Sequence, residues 1–378
     1  MRFFEFKQPL REMEARIQHA EDLIFYQGSK GALRAIDALR SMAGDDHKSV
    51  TLKWDGAPAV VFGRNEDGEF VFTDKSGFMK SGGVERTTSP DALKNALLNR
   101  SGGKLKDDPG RIAFADKMAT IFPLYEKTIP DNYRGYFKGD LLYYTTPPVK
   151  DKNYVFKPQI VEYAVDVDSD LGKRIGNSTS GIVIHREVDD QGNEGPFKSL
   201  DMFDGQKDVL VVPSVTTEKP VEVDTSAIDQ LQATVKKNAS GVDELLNANT
   251  LAQQKMKALP DLLYAYMNSK VDTGLTNLGA DFATWLENRK QVSDKMKGKV
   301  LQYINQHQSA FTALWNVVTA IMKTKDDIIS KFDSQGGQVK QSINGKPGGE
   351  GYVLAHPKGD IKLVPRATFS AANRAVKR

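Results

Sequence analysis

Thr51-Leu52-Lys53-Trp54-Asp55-Gly56 is the stretch on which the reading of this chain turns. An apolar run leads into it, and Ala59-Val60-Val61-Phe62 follows. Between them stands Gly56-Ala57-Pro58, and a glycine and a proline so close together favour a chain reversal. The pattern predicts a strand, a loop and a second strand, with Lys53 at the mouth of the loop. Working outward, β texture continues to about residue 85, with short runs at 50–52, 59–62 and 70–73. Asn65-Glu66-Asp67-Gly68 makes a hairpin turn between the last two. Further strands are expected at 134–144, 154–166, 181–187 and 209–212.

On either side the period changes. Leu10, Met13, Ile17, Ala20 and Ile24 recur at helical spacing, as do Leu33, Ile36, Leu39 and Met42, with Gly28-Ser29-Lys30-Gly31 between the two helices. Helices are also expected at 90–99 and 111–127. Residues 213–224 form a non-periodic link. Residues 225–333 then read as a helical bundle, with apolar faces marked by Phe282, Trp285 and Leu286 and by Phe311, Leu314, Trp315 and Val318. Strand texture returns from 338 to 365. The expected class is α+β. A helical segment, 1–48, precedes a domain of antiparallel sheets split into 49–224 and 334–378, and a helical domain, 225–333, is inserted in it.

Composition removes several classes of function. Of 378 residues, 39% are hydrophobic and 27% charged, the balance of an ordinary globular chain. No apolar run reaches the roughly eighteen residues that span a membrane, and the N-terminus lacks a signal-peptide pattern. With no cysteine there are no disulfides, thiolate metal sites or thiol nucleophiles, which fits a cytoplasmic protein. A net charge of +3 is too small for a whole-surface nucleic-acid binder, so any such surface must be a local patch. Lys75, Lys80 and the tail residues Arg366, Arg374, Lys377 and Arg378 are the candidates. No phosphate-loop signature is present. His19, His47, His185, His307 and His356 show no metal-ligand spacing and read as structural or solvated.

Two more elements follow Lys53-Trp54-Asp55-Gly56 in order. Gly135-Tyr136-Phe137-Lys138-Gly139-Asp140-Leu141-Leu142 lies mid-chain; Gly349-Glu350-Gly351-Tyr352-Val353-Leu354 and Ile361-Lys362-Leu363-Val364 lie near the end. The ordered set resembles the covalent nucleotidyltransferase superfamily of RNA ligases, DNA ligases and mRNA-capping enzymes, and is most similar to the ATP-dependent RNA ligases. The resemblance covers roughly 49–190 and 337–366. It implies that Lys53 attacks the α-phosphate of ATP and carries AMP as a phosphoramidate, with Asp55 and Gly56 of the same motif at the nucleotide. A lysine does this only where a neighbouring cation or metal ion frees its amine. Lys362 is the implied second cation, stabilising charge on the phosphate. Glu350 matches the glutamate that helps to hold Mg2+ or Mn2+. Asp140 stands at the ribose-contacting position, where the family usually has glutamate. Phe156 or Tyr163 is the implied stacking partner of the purine, and Lys75 matches a basic residue one strand after the nucleophile.

The implied activity is sealing of a 5′-phosphate to a 3′-hydroxyl end, with RNA preferred over DNA as partner. A capping-type guanylyltransferase and a binding protein that has lost turnover are the competing readings. Pro58 stands where DNA ligases and capping enzymes usually carry arginine, with Arg64 a possible substitute, and the residues after Val364 are too few for the OB-fold that follows in those families. Gly181-Ile182-Val183-Ile184-His185 imitates the metal-binding strand but carries no carboxylate, so it reads as a core strand.

Overall fold

A computed structural model of the chain describes residues 18–43, 49–79, 86–217, 221–222, 225–335, 337–355 and 360–376. In chain order the strands are β1 (Gln18–His19), β2 (Val50–Leu52), β3 (Ala59–Arg64), β4 (Phe70–Asp74), β5 (Gly135–Tyr143), β6 (Val149–Lys150), β7 (Asn153–Phe156), β8 (Glu162–Asp166), β9 (Ser180–Val188), β10 (Glu194–Pro196) and β11 (Val209–Val211), then β12 (Val339–Ile343), β13 (Lys346–Pro347), β14 (Tyr352–Leu354) and β15 (Ile361–Leu363). The fold is α+β, as the alternation of periods predicts. The chain divides into two compact units: Met1–Lys53, Val215–Gly337 and Gly348–Arg378 in the first, Trp54–Ser214 and Gln338–Pro347 in the second.

In the first unit a four-stranded sheet runs in the order β1-β15-β14-β2, with β1 parallel to β15 and the remaining pairs antiparallel. One face of the sheet rests on helices. Tyr352, Leu354, Ile361 and Leu363 share a core with Leu23, Ile36 and Leu39 of the Leu23–Ala43 helix, and with Ile228, Leu231, Leu314, Trp315 and Ile321. The helices of 225–335 therefore close over the last two strands and the N-terminal helix, and they do not form a core of their own. The boundaries fall at 53/54, 214/215, 337/338 and 347/348 rather than at 48/49, 224/225 and 333/334.

The N-terminal helix begins later than its periodicity suggests. Residues 18–19 are a strand, Ala20–Asp22 is a 3-10 turn and the α-helix starts at Leu23; positions 10–17 lie outside the described residues. Gly28 breaks that helix, as expected, in a left-handed conformation (φ 60°). The break lets Asp243 accept from the Ser29 backbone N–H and hydroxyl, both at 2.7 Å. A Cβ at Gly28 would stand 2.3 Å from the Asp243 Oδ1 atom.

The second unit holds two sheets. One runs β10-β9-β5-β3-β4, with β11 beside β9, and the other runs β13-β12-β8-β7-β6. Alternation sorts the first sheet into two faces. Val60, Phe62, Phe72, Phe137, Leu141 and Ile182 pack on the Pro90–Asn99 and Pro109–Thr128 helices through Leu93, Leu97, Met118, Phe122 and Tyr125. Both helices start on sequence-legible caps: Ser89 Oγ accepts from Ala92 N–H at 3.2 Å, and Asp108 Oδ1 accepts from Arg111 N–H at 2.7 Å, each with proline in the first turn. The opposite face carries Lys138, Asp140 and Arg186. Among the described residues no helix is long and apolar enough to cross a membrane.

Candidate functional site

Lys53 continues β2 by one residue: its backbone N–H donates to Gly351 O at 2.9 Å, extending the Leu52–Tyr352 register. Gly351 makes this close pairing feasible. It has φ 109°, and a Cβ there would lie 2.0 Å from Leu363 O. Glu350, one residue earlier, forms an ion pair with Lys53. Their side chains are only 18% and 16% exposed, so the pair is partly withdrawn from water and weakly screened.

Cross-strand register places the rest of this face. Thr51, Val353, Lys362 and His19 are opposite one another in successive strands, so they point to one side of the sheet, and Lys53, two residues beyond Thr51, shares that side. All are half-buried, whereas Val50, Leu354 and Ile361 in the adjacent row are buried in the core. Lys53 and, some three hundred residues later in the chain, Glu350 and Lys362 thus come together at one face of one sheet. Just after β1 in the chain, Glu21 and Asp22 belong to a buried ionic group. Lys325 pairs with Glu21 at 2.8 Å; Arg366 pairs with Glu21 at 3.1 Å and with Asp22. Burial pushes the Asp22 and Asp326 carboxyls up to about 6. Burial acts on Glu21 in the same direction, but Lys325 and Arg366 outweigh it and hold that carboxyl below its ordinary range. Arg366 is thus a structural arginine, 3% exposed, and not part of a basic tail. Arg374 lies 3.9 Å from Asp272; Lys80, Lys377 and Arg378 lie outside the described residues.

The second unit gathers five of the remaining candidates. Asp55 is buried; its N–H donates to Tyr163 Oη at 2.5 Å, and its Oδ2 accepts from the N–H groups of Ile160 and Val161 at 3.2 and 3.4 Å. Its carboxylate thus ties down the loop after β7. Gly56 packs on β5, where a Cβ would come within 2.7 Å of Asp140 Cβ. Asp140 Oδ2 lies 3.0 Å from His185 Nε2 and accepts from it in the tautomer that carries the proton there. Phe156 and Tyr163 stack at 5.4 Å, and Trp54 covers both, at 6.3 and 4.7 Å. All three rings are buried, so Phe156 and Tyr163 form a core rather than an open platform for a base. Lys75 is exposed, in the first turn of the short Lys75–Phe78 helix. It and Arg186 add to Lys138, whose bond and charge hold the Glu194 carboxyl below its usual range against the opposing effect of burial.

Arg64 does not take the place of the missing arginine. It is buried, donates to Ile129 O, Pro130 O and Gly68 O, and pairs with Asp131 at 2.7 Å. The run at 181–185 is an interior strand, as expected, and Ser180 Oγ donates to Tyr143 O at 3.0 Å. Sequence reasoning missed Trp54 as the organiser of the aromatic cluster, although its place inside the lysine motif was a signal. It also set His19 and His185 aside, because neither has a local pattern; only strand pairing brings them to Lys362 and Asp140.

Among the described residues no three acidic or histidine side chains come together as a metal cage. Glu350 offers a single carboxylate, which suits an ion delivered with phosphates and not one held by protein alone. No curated protein and no solved structure matches the chain. A family model described as a family of unknown function, DUF6267, matches residues 14–378. That span takes in both units, and the chain belongs to the DUF6267 family.

Proposed function

We propose that the chain is an ATP-dependent nucleotidyltransferase of polynucleotide-ligase type, with Lys53 as the residue that carries AMP. The observation that carries this reading is the half-buried sheet face on which Lys53, Lys362 and Glu350 are assembled from distant segments. Two lysines on one face attract a triphosphate, and a low-dielectric setting strengthens that attraction. In the first step the Lys53 amine attacks the α-phosphorus. A P–N bond forms, the bond to the bridging oxygen breaks and pyrophosphate leaves. Glu350, already bonded to the ammonium, is placed to take its proton. Lys362 offsets negative charge as it builds on the phosphate. A divalent ion, Mg2+ or Mn2+, would arrive with the triphosphate, meet Glu350 and supply charge neutralisation.

The acceptor in this reading is a 5′-phosphorylated polynucleotide end, with RNA preferred. Incubation with α-labelled ATP or GTP, followed by denaturing electrophoresis, tests the first step. A protein–AMP band that Lys53→Ala abolishes is the expected result. A protein–GMP band in its place points to a capping-type reaction, and no band with either nucleotide overturns the reading in favour of a binding protein. Sealing of a nicked or single-stranded RNA then tests the acceptor separately.

A further inference from the structure

β1 is only two residues long, yet it is held firmly. Glu21 and Asp22, in the 3-10 turn that follows it, are buried and paired with Lys325 and Arg366. Parallel pairing with β15 sets His19 directly beside Lys362, on the half-buried face that also carries Lys53. A histidine kept for structure normally has both ring nitrogens satisfied. Here Nδ1 is buried without a hydrogen-bond partner, while the residue as a whole is only partly buried.

We propose that His19 is a third anion-contacting residue of the Lys53–Lys362 face, its Nε2–H donating to a phosphate oxygen of the bound nucleotide. This rests on the nucleotidyltransferase reading above. The tautomer follows from the surroundings. An imidazolium would point a second N–H from Nδ1 at no acceptor, so the proton belongs on Nε2. Burial, followed by the charges of Arg366, Lys325, Lys362 and Lys53, holds the imidazole well below its ordinary range, which keeps it a neutral donor. The acidic groups close by, Glu21 and Asp22, are engaged with Lys325 and Arg366. Four cations, Arg366, Lys325, Lys362 and Lys53, thus act on the ring, and a phosphate oxygen is the acceptor that such a setting draws in. Buried ion pairs of Glu21 and Asp22 thus fix the position of the histidine just before them in the chain.

Wild-type protein, His19→Phe and His19→Gln are compared with inorganic pyrophosphate and, separately, with ATP. Histidine ring nitrogens are followed by 15N NMR, affinity by calorimetry, and adduct formation by labelling. Pyrophosphate is expected to move the wild-type His19 ring signals. His19→Phe should weaken pyrophosphate binding about tenfold, the weight of one hydrogen bond to a charged group. It should raise the ATP concentration for half-maximal labelling more than it lowers the maximal rate, and Gln should recover part of the loss. Ring signals unmoved at saturating pyrophosphate, or wild-type affinity in both variants, overturns the proposal, and the ring signals decide the matter even if His19→Phe does not fold. Binding through His19 without any adduct sinks the Lys53 reading and leaves this one standing. Normal labelling with a silent ring sinks only this one.

Discussion

Lys53 and Glu350 show how much one side chain depends on its partner. Lys53→Ala should abolish adduct formation and leave folded protein, because it removes the proposed nucleophile and a single ion pair near the surface. Lys53→Arg should be equally inactive, since a guanidinium stays protonated at working pH. Labelling at the wild-type rate by either variant would show that AMP is carried elsewhere. Glu350→Gln keeps the size but loses the charge that pairs with Lys53. Labelling should fall by an order of magnitude or more, and a titration with Mg2+ should need a higher concentration for half-maximal activity. An unchanged titration would remove Glu350 from the phosphate site.

At the scale of elements, the junction between β14 and its neighbours decides whether the face exists. Gly351→Ala would place a methyl 2.0 Å from Leu363 O at a backbone φ of 109°. The β14–β15 ladder must open to admit it, at a cost of about 2 kcal/mol or more. A fall in melting temperature with loss of labelling is the expected outcome, and a fully stable, active variant would contradict this account of the sheet. The same end of β14 is also tied to the Gln308–Gln335 helix, where the Tyr352 hydroxyl donates to Asp333 at 2.9 Å. Burial pushes the Asp333 carboxyl up to about 6 from 3.8. A carboxyl raised in the folded state contributes stability below its unfolded value, and that contribution is lost as pH rises through the folded one. Asp333→Asn keeps an acceptor for Tyr352 and removes the titration. The variant should be more stable than wild type above about pH 6, by about 1 kcal/mol after allowance for solvent screening, with no advantage below about pH 4. Melting curves at the two ends of that range check the sign.

For the molecule as a whole, the first unit is one core built from three separate stretches of chain. Replacing 225–333 with a short Gly-Ser linker should not leave an active remnant. It would uncover Leu23, Ile24, Phe25, Ile36, Leu39, Leu354, Ile361 and Leu363, all buried in the intact core. Each such side chain contributes about 1.5–3 kcal/mol by burial. Full exposure of all eight would cost about 12–24 kcal/mol, as much as or more than the roughly 5–15 kcal/mol by which a domain is stable. The shortened chain should show no cooperative melting and no labelling. A folded, labelled deletion protein would establish the helices as a dispensable insertion after all.

Local chemistry was legible in the sequence wherever it depends on neighbours along the chain. The helix at 90–99 carries its serine cap and first-turn proline within a few residues, and the hairpin at 65–68 carries its glycine. The strand–loop–strand around Lys53 and the strands at 352–354 and 361–363 follow from apolar runs bounded by glycine. These signals belong to one residue and its near neighbours, so composition and spacing contain them. What required the tertiary structure was pairing across the chain. Nothing near residue 19 announces a strand, because β1 is stabilised by β15 and by the ion pairs of Glu21 and Asp22 with Lys325 and Arg366, more than three hundred residues away. The same long-range contacts turned Arg366 from a tail charge into a buried one and closed the helices of 225–335 over the site's own sheet. Phe156 and Tyr163 likewise read as aromatic candidates, but Trp54 decides that they are core. Hydrophobic burial and ion pairing depend on proximity in space, and the order of residues encodes that proximity only through the finished fold.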